Sequence, residues 1–112
     1  MKRFLSAVAL TIGLSPALAF AQAAIPNLND FRVTVGQSVV FYGFVGECGV
    51  APTRVQLPRL RTGTLSVGRV GQRNSRRCGG MTTAVEIIFT ATQTGTEGFR
   101  INEDRFIARV RN

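Results

Sequence analysis

The feature that most constrains the fold of this chain is an alternation of apolar and polar residues with a period of two. The segments DFRVTV (30–35), AVEIIFTA (84–91) and RFIARV (105–110) all alternate in this way. Successive side chains of a β-strand point to opposite faces of the sheet. The alternation therefore predicts half-buried strands rather than helices.

Glycine and proline residues separate the alternating runs, and short strands at such spacing are typical of a sandwich or barrel. VVFYGF (39–44) is apolar on both faces, which predicts a central strand of a two-layer core. Residues 24–29 look like a lead-in with little structure, and residues 102–104 look like the turn of the last hairpin. We predict an all-β fold, a small antiparallel sandwich of two sheets and about seven strands. The predicted strands are 30–35, 38–46, 53–57, 63–70, 82–91, 97–102 and 105–110.

The first 23 residues have the three regions of a secretory signal peptide. Lys2 and Arg3 precede an apolar run over residues 4–14, and small residues then offer A-x-A cleavage sites ending at Ala21 and Ala23. The apolar run is shorter than the roughly 20 residues that span a bilayer. We therefore predict a signal peptide at 1–23, a single domain at 24–112, and no transmembrane segment after cleavage. The expected location is the periplasm or the outside of the cell.

Export also bears on the two cysteines, Cys48 and Cys78. Oxidising compartments form and keep disulfides, so a single intramolecular bridge is expected rather than two free thiols. Both cysteines abut predicted turns, and the bridge would tie two strand ends across one edge of the sandwich. In antibody domains the bridge instead joins strand interiors and packs on a tryptophan, and this chain has no tryptophan.

Two segments resemble exported bacterial Ig-like and cadherin-like sandwich modules. PRLRTGTL (58–65) is similar to a P-x-x-G-x-hydrophobic pattern, and VEIIFTATQTGTEGFRI (85–101) is similar to Y/F-T-P followed by G-T-D-x-F. Ala91 stands where proline is usual, and Glu97 stands where aspartate is usual. The resemblance covers about half of the domain and implies an Ig-like β-sandwich used for adhesion, spacing or binding. It carries no catalytic residues.

Catalytic chemistry has few candidates in this composition. The chain has no histidine, which removes histidine bases and most zinc sites. Glu47 and Glu86 could form a carboxylate pair of the glycosidase type, but solvated strand ends are the favoured interpretation. Glu103 and Asp104 lie in a predicted turn beside Arg105, which is a poor calcium site. We therefore predict no enzyme activity, no metal and no cofactor.

The charge distribution is the sharpest functional feature. No acidic residue lies between Glu47 and Glu86, whereas that interval holds seven arginines, three of them in RNSRRCGG (73–80). Arginine binds phosphate and carboxylate groups in a bidentate way, so such an interval attracts anions. A solvated basic face is the alternative. The candidate anion-binding residues are Arg59, Arg61, Arg69, Arg73, Arg76 and Arg77, with the last three expected in a loop pinned by Cys78.

Possible partners are anionic glycan, lipopolysaccharide and an acidic protein. Residues 45–88 contain no aromatic residue, which disfavours dedicated nucleic-acid binding. The leading hypothesis is an exported, non-catalytic binding or structural module with an arginine-rich edge. The alternative is a small secreted inhibitor of an extracellular or host enzyme, in which GVAPTRVQLP (49–58) would present Arg54 to a protease.

Overall fold

The computed structural model describes residues 23–112, and in that range it contains six strands and no helix. The predicted signal peptide lies outside the described residues except for Ala23. No helix in the described range is long and apolar enough to cross a membrane. The strands are β1 (Asp30–Thr34), β2 (Ser38–Phe44), β3 (Gly63–Ser75), β4 (Gly80–Ala91), β5 (Gly95–Ile101) and β6 (Asp104–Arg111).

The strands form two three-stranded sheets, which confirms the predicted all-β, two-sheet fold. One sheet has the order β1–β6–β5 and the other the order β2–β4–β3. All pairings are antiparallel except that of β1 with β6, which is parallel and places Arg32 beside Arg109. Two residues, Asn102 and Glu103, turn β5 into β6 as predicted, with Asn102 at a φ of 57°.

The core between the sheets is built around aromatic rings. The ring centroid of Phe106 lies 4.9 Å from those of Phe41 and Tyr42 and 5.5 Å from that of Phe99. Phe31 stacks on Phe41 across the two sheets, with centroids 4.8 Å apart. Aromatic pairs at such separations stabilise a core beyond the area that they bury. The period-two positions of β1, β4 and β6 thus face this core, as their alternation predicts.

The prediction that residues 39–44 form a central strand is wrong, because β2 lies at the edge of its sheet. A β-bulge accounts for the apolar pattern: Val40 pairs with Ile88 and Tyr42 with Ile87, which leaves Phe41 as an extra residue. Phe41 and Tyr42 consequently both reach the core, although they are consecutive. A bulge interrupts the alternation of side chains in this way.

The predicted strand at 53–57 does not form, which reduces the count from seven to six. Val55 and Leu57 are half-buried and pack against the core cluster, so their alternation reflects burial without sheet pairing. Pro52 and Pro58 bracket the segment, and proline has no N–H to give to a sheet ladder. Residues 45–62 therefore connect β2 to β3 as an irregular cover over the core.

The lead-in before β1 is more ordered than predicted. Ala24 bridges to Gln72 of β3, and the Ile25 N–H donates to the Gln72 carbonyl at 2.8 Å. Ile25 is buried over Gly71, where a Cβ would lie 2.8 Å from its side chain. The glycine therefore provides the space in which the lead-in docks.

Candidate anion-binding edge

The arginine-rich stretch lies at the tip of the β3–β4 hairpin, which is longer than predicted at this end. The ladder continues to the pair Ser75–Gly80. Gly79 and Gly80 have φ angles of 78° and 147°, values that favour glycine, and they turn the chain as expected. Arg73 therefore lies on β3 opposite Thr82 and not in a loop, which corrects the prediction for this residue.

The predicted disulfide is confirmed and fastens this tip to the segment that follows β2. Cys48 and Cys78 are bonded, with their Cα atoms 5.6 Å apart. Nearby, the Gly49 N–H donates to the Thr82 hydroxyl at 2.8 Å. The tip is therefore held by a covalent bond and a local hydrogen bond.

Arg73, Arg76 and Arg77, here called the tip cluster, differ in how firmly they are held. Arg73 donates to the Gly43 carbonyl at 3.1 Å, and its guanidinium carbon lies 5.2 Å from the centroid of the Tyr42 ring. Arg77 donates to the Gly46 carbonyl at 2.6 Å. Arg76 is exposed and forms no side-chain hydrogen bond with residues 23–112. Arg73 and Arg77 thus have structural contacts, whereas the Arg76 side chain has no hydrogen-bond partner among the described residues.

The tip cluster lines one wall of an open groove of about 700 Å³. The opposite wall is the β5–β6 turn, which contributes Asn102, Glu103 and Asp104. The fold therefore brings two carboxylates towards the arginines, although the sequence separates them. The groove has mixed charge, with three cations and two anions along its lining, and no ion pair joins the walls within the described residues.

Tyr42 closes the floor of this groove. It is only 2% exposed, and its hydroxyl donates a hydrogen bond to the Asp104 carboxylate. Burial, strengthened by this hydrogen bond and by the negative charge of Asp104, raises the pKa of Tyr42 to about 12. These effects outweigh the opposing influence of Arg73, so the phenol stays neutral well above its ordinary range.

Titration of this phenol is readily measured because Tyr42 is the only tyrosine. We expect tyrosinate absorbance to show a midpoint near pH 12 in the folded protein and near pH 10 in denaturant. Since the folded pKa is raised, the associated stability is present below about pH 10 and is lost as pH rises towards 12. A folded-state midpoint near 10 would contradict the buried contact with Asp104.

The other predicted site residues do not join the tip cluster. Arg59 and Arg61 precede β3, at the far end of the hairpin, and Arg69 lies in a bulge in its middle. At that bulge the Arg69 N–H donates to the Glu86 carboxylate at 2.9 Å, which gives Glu86 a structural role in the sheet. The six candidates are therefore spread along the hairpin.

The prediction from sequence omits a second group of arginines, here called the arginine face. Its members occupy outward positions on the β1–β6–β5 sheet, whose inward positions face the core. The arginines of β6 recur with a period of two, and this spacing was the one sign of the face in the sequence. Which arginines of the other two strands join them depends on the strand order and the register of the sheet. They are Arg32, Arg100, Arg105, Arg109 and Arg111.

Comparisons with known proteins identify no relative. No protein-family model matches the chain, and no significant match is found among curated proteins or solved structures.

Proposed function

We propose that this protein is an exported, non-catalytic binding or structural module whose tip cluster binds an acidic partner. The observation that carries the proposal is the exposed Arg76 on a disulfide-anchored hairpin, flanked by Arg73 and Arg77 along the groove. The partners to consider are an anionic glycan, lipopolysaccharide phosphates and an acidic protein.

Anchoring of the two flanking arginines favours such binding. A free arginine loses side-chain entropy when a ligand immobilises it. Arg73 and Arg77 are already held by the Gly43 and Gly46 carbonyls. Each guanidinium has five N–H donors, so donors remain for an oxyanion. Glu103 and Asp104 repel ligands that carry many negative charges. They favour a ligand with a single acidic group that contacts the arginine wall of the groove.

An Ig-like module remains our proposal for the class of domain. The two segments that resemble such modules touch in space: the Glu97 carboxylate accepts hydrogen bonds from the Arg61 and Thr62 N–H groups at 2.8–2.9 Å. This contact supports the proposal that Glu97 takes the place of the aspartate that is usual in such modules. A sandwich with one disulfide and a histidine-free sequence supports a binding role better than a catalytic one.

The test compares Arg76→Glu with Arg54→Glu on immobilised heparin, a sulfated polysaccharide. Both arginines are exposed, and both variants change the net charge by the same amount because the substitution is the same. We expect Arg76→Glu to elute at clearly lower salt than Arg54→Glu, because exposed charges act within about 8–10 Å at physiological ionic strength. Equal elution of the two variants would show that only net charge matters and would overturn the proposal.

A further inference from the structure

The outer face of the β1–β6–β5 sheet concentrates positive charge without an evident structural reason. The arginine face carries five cations, and Asp30 is the acidic residue that lies beside them and pairs with one of them. Asp30 accepts hydrogen bonds of 2.8 and 3.0 Å from Arg109. Within residues 23–112 this is the only ion pair.

The register places like charges side by side. Arg32 lies directly opposite Arg109, and Arg100 lies directly opposite Arg105. Like charges at facing positions of a sheet are destabilising. Only Arg109 is compensated, so the Arg100–Arg105 pair weakens the fold unless an anion lies over it.

A depression adjoins this second pair. It measures about 530 Å³, and its lining includes Gly98, Arg100, Arg105 and Ile107, together with the half-buried Phe99 and Asp30, whose carboxylate is engaged by Arg109. Gly98 faces Ile107 across the strands and leaves the floor open. A Cβ at Gly98 would meet only the Phe106 carbonyl oxygen, at 3.7 Å, which is ordinary contact. The packing does not require glycine here, and the pairing of β5 with β6 has no bulge at this position. Glycine within a strand can also mark the close approach of a ligand or of another backbone.

We propose that the arginine face binds a linear acidic polysaccharide, with one sugar ring over Gly98 and Ile107 and its acidic groups on Arg100 and Arg105. Outward positions along β6 repeat about every 7 Å, so Arg109 and Arg111 follow the same strand beyond the ring. This site is separate from the tip cluster and does not depend on the proposed function.

The composition of the face favours a polysaccharide over other polyanions. Its exposed large apolar residue is Ile107, at 37% exposure, and within the described residues no aromatic side chain is exposed to stack on bases. A bilayer surface would gain little from a single exposed apolar side chain. A second copy of the face would meet it with the same charge, which opposes self-association.

The first test fills the depression without changing the charge. Gly98→Thr should weaken binding to polygalacturonate, a linear carboxylate polymer, by about tenfold, the effect of about 1.4 kcal/mol. The melting temperature should stay the same or rise, since threonine suits a strand better than glycine. Unchanged binding by a folded Gly98→Thr variant would overturn the proposal that a sugar ring lies over Gly98.

The second test removes the central charge pair. The double variant Arg100→Gln/Arg105→Gln should lose about 2- to 30-fold in affinity for polygalacturonate, as expected for two exposed ion contacts. The control, Arg54→Gln/Arg59→Gln, removes two exposed arginines from the 45–62 segment and should lose much less. Equal losses would contradict the site.

Two further measurements distinguish the arginine face from a lipid-binding surface and from the tip cluster. Vesicles of phosphatidylglycerol should bind more weakly than polygalacturonate and should not respond to Gly98→Thr. A response of vesicle binding equal to that of the polymer would overturn the choice of polysaccharide. Arg76→Glu should weaken polygalacturonate binding much less than Arg100→Gln/Arg105→Gln does, and equal losses would contradict the arginine face. The tip cluster is tested separately, by the comparison of Arg76→Glu with Arg54→Glu on heparin.

Discussion

Reduction of the Cys48–Cys78 disulfide is expected to lower the free energy of unfolding by about 2–4 kcal/mol. The bridge closes a loop with a sequence separation of 30, and it restricts the unfolded chain accordingly. The loss would be a large share of the roughly 5–15 kcal/mol that stabilises a typical domain. Denaturant unfolding of the oxidised protein and of the Cys48→Ser/Cys78→Ser variant measures the difference.

The location of the disulfide predicts which segments lose local stability when it is reduced. Amide hydrogen exchange should accelerate first in residues 45–52 and 75–82, which the bridge joins, while β6 keeps its protection. The Thr82→Val variant serves as a control, because it removes only the hydrogen bond from Gly49 and should cost about 1 kcal/mol. Equal unfolding free energies for the oxidised protein and the cysteine variant would contradict this role.

Replacement of Glu97 by alanine is expected to destabilise the protein by about 2–4 kcal/mol. The carboxylate accepts from the Arg61 and Thr62 N–H groups and from the Thr62 hydroxyl at 2.7 Å, and Thr62 is fully buried. Removing the acceptor leaves buried donors unpaired, at about 1–3 kcal/mol each, with water reaching the more exposed Arg61. Denaturant unfolding of Glu97→Ala beside Thr96→Ala, an exposed neighbour, measures the effect.

Acid sensitivity gives an independent measurement of the same contact. Burial alone would raise the pKa of Glu97, but the hydrogen bonds from Arg61 and Thr62 outweigh it and hold the pKa below its ordinary value of 4.5. The stability from this group is therefore present above pH 4.5 and lost as pH falls below it. Glu97→Gln should show a shallower acid loss than the parent. Asp30 also has a lowered pKa and remains in both proteins, so it cancels in the comparison. Identical acid profiles would contradict the contact.

Much of the fold can be predicted from the local alternation of apolar and polar residues. Where the prediction is wrong, the cause is local. The runs that became β1, β4 and β6 alternate in burial along most of their length and have a buried face on a two-layer core. The strand at residues 39–44 was predicted at the centre of its sheet and lies at the edge. The bulge at Phe41 places consecutive apolar residues on one side, which imitates a strand that is apolar on both faces. Residues 53–57 alternate as well, but alternation reports burial and cannot show whether a neighbouring strand offers hydrogen bonds.

The candidate sites show what a linear charge pattern omits. The acid-free interval between Glu47 and Glu86 located the tip cluster, but it could not show that Glu103 and Asp104 lie across the groove. The arginine face draws its members from three strands, and only the register makes Arg100 and Arg105 neighbours. Predicting either arrangement requires sheet order, which depends on long-range pairing.

The parallel pairing of β1 with β6 also makes the β1–β6–β5 sheet a late step of folding. Asp30 and Arg109, which meet in this sheet, are 79 positions apart in the chain. Contacts of such separation carry a large loop-closure cost and slow folding, whereas the β3–β4 hairpin closes through residues near one another. On a chain that emerges from its N-terminus, the hairpin and the disulfide partner Cys78 are present while β1 still waits for β6. Arg32 and Arg109 therefore come to lie side by side only in the final stage, in the same step in which Asp30 reaches Arg109.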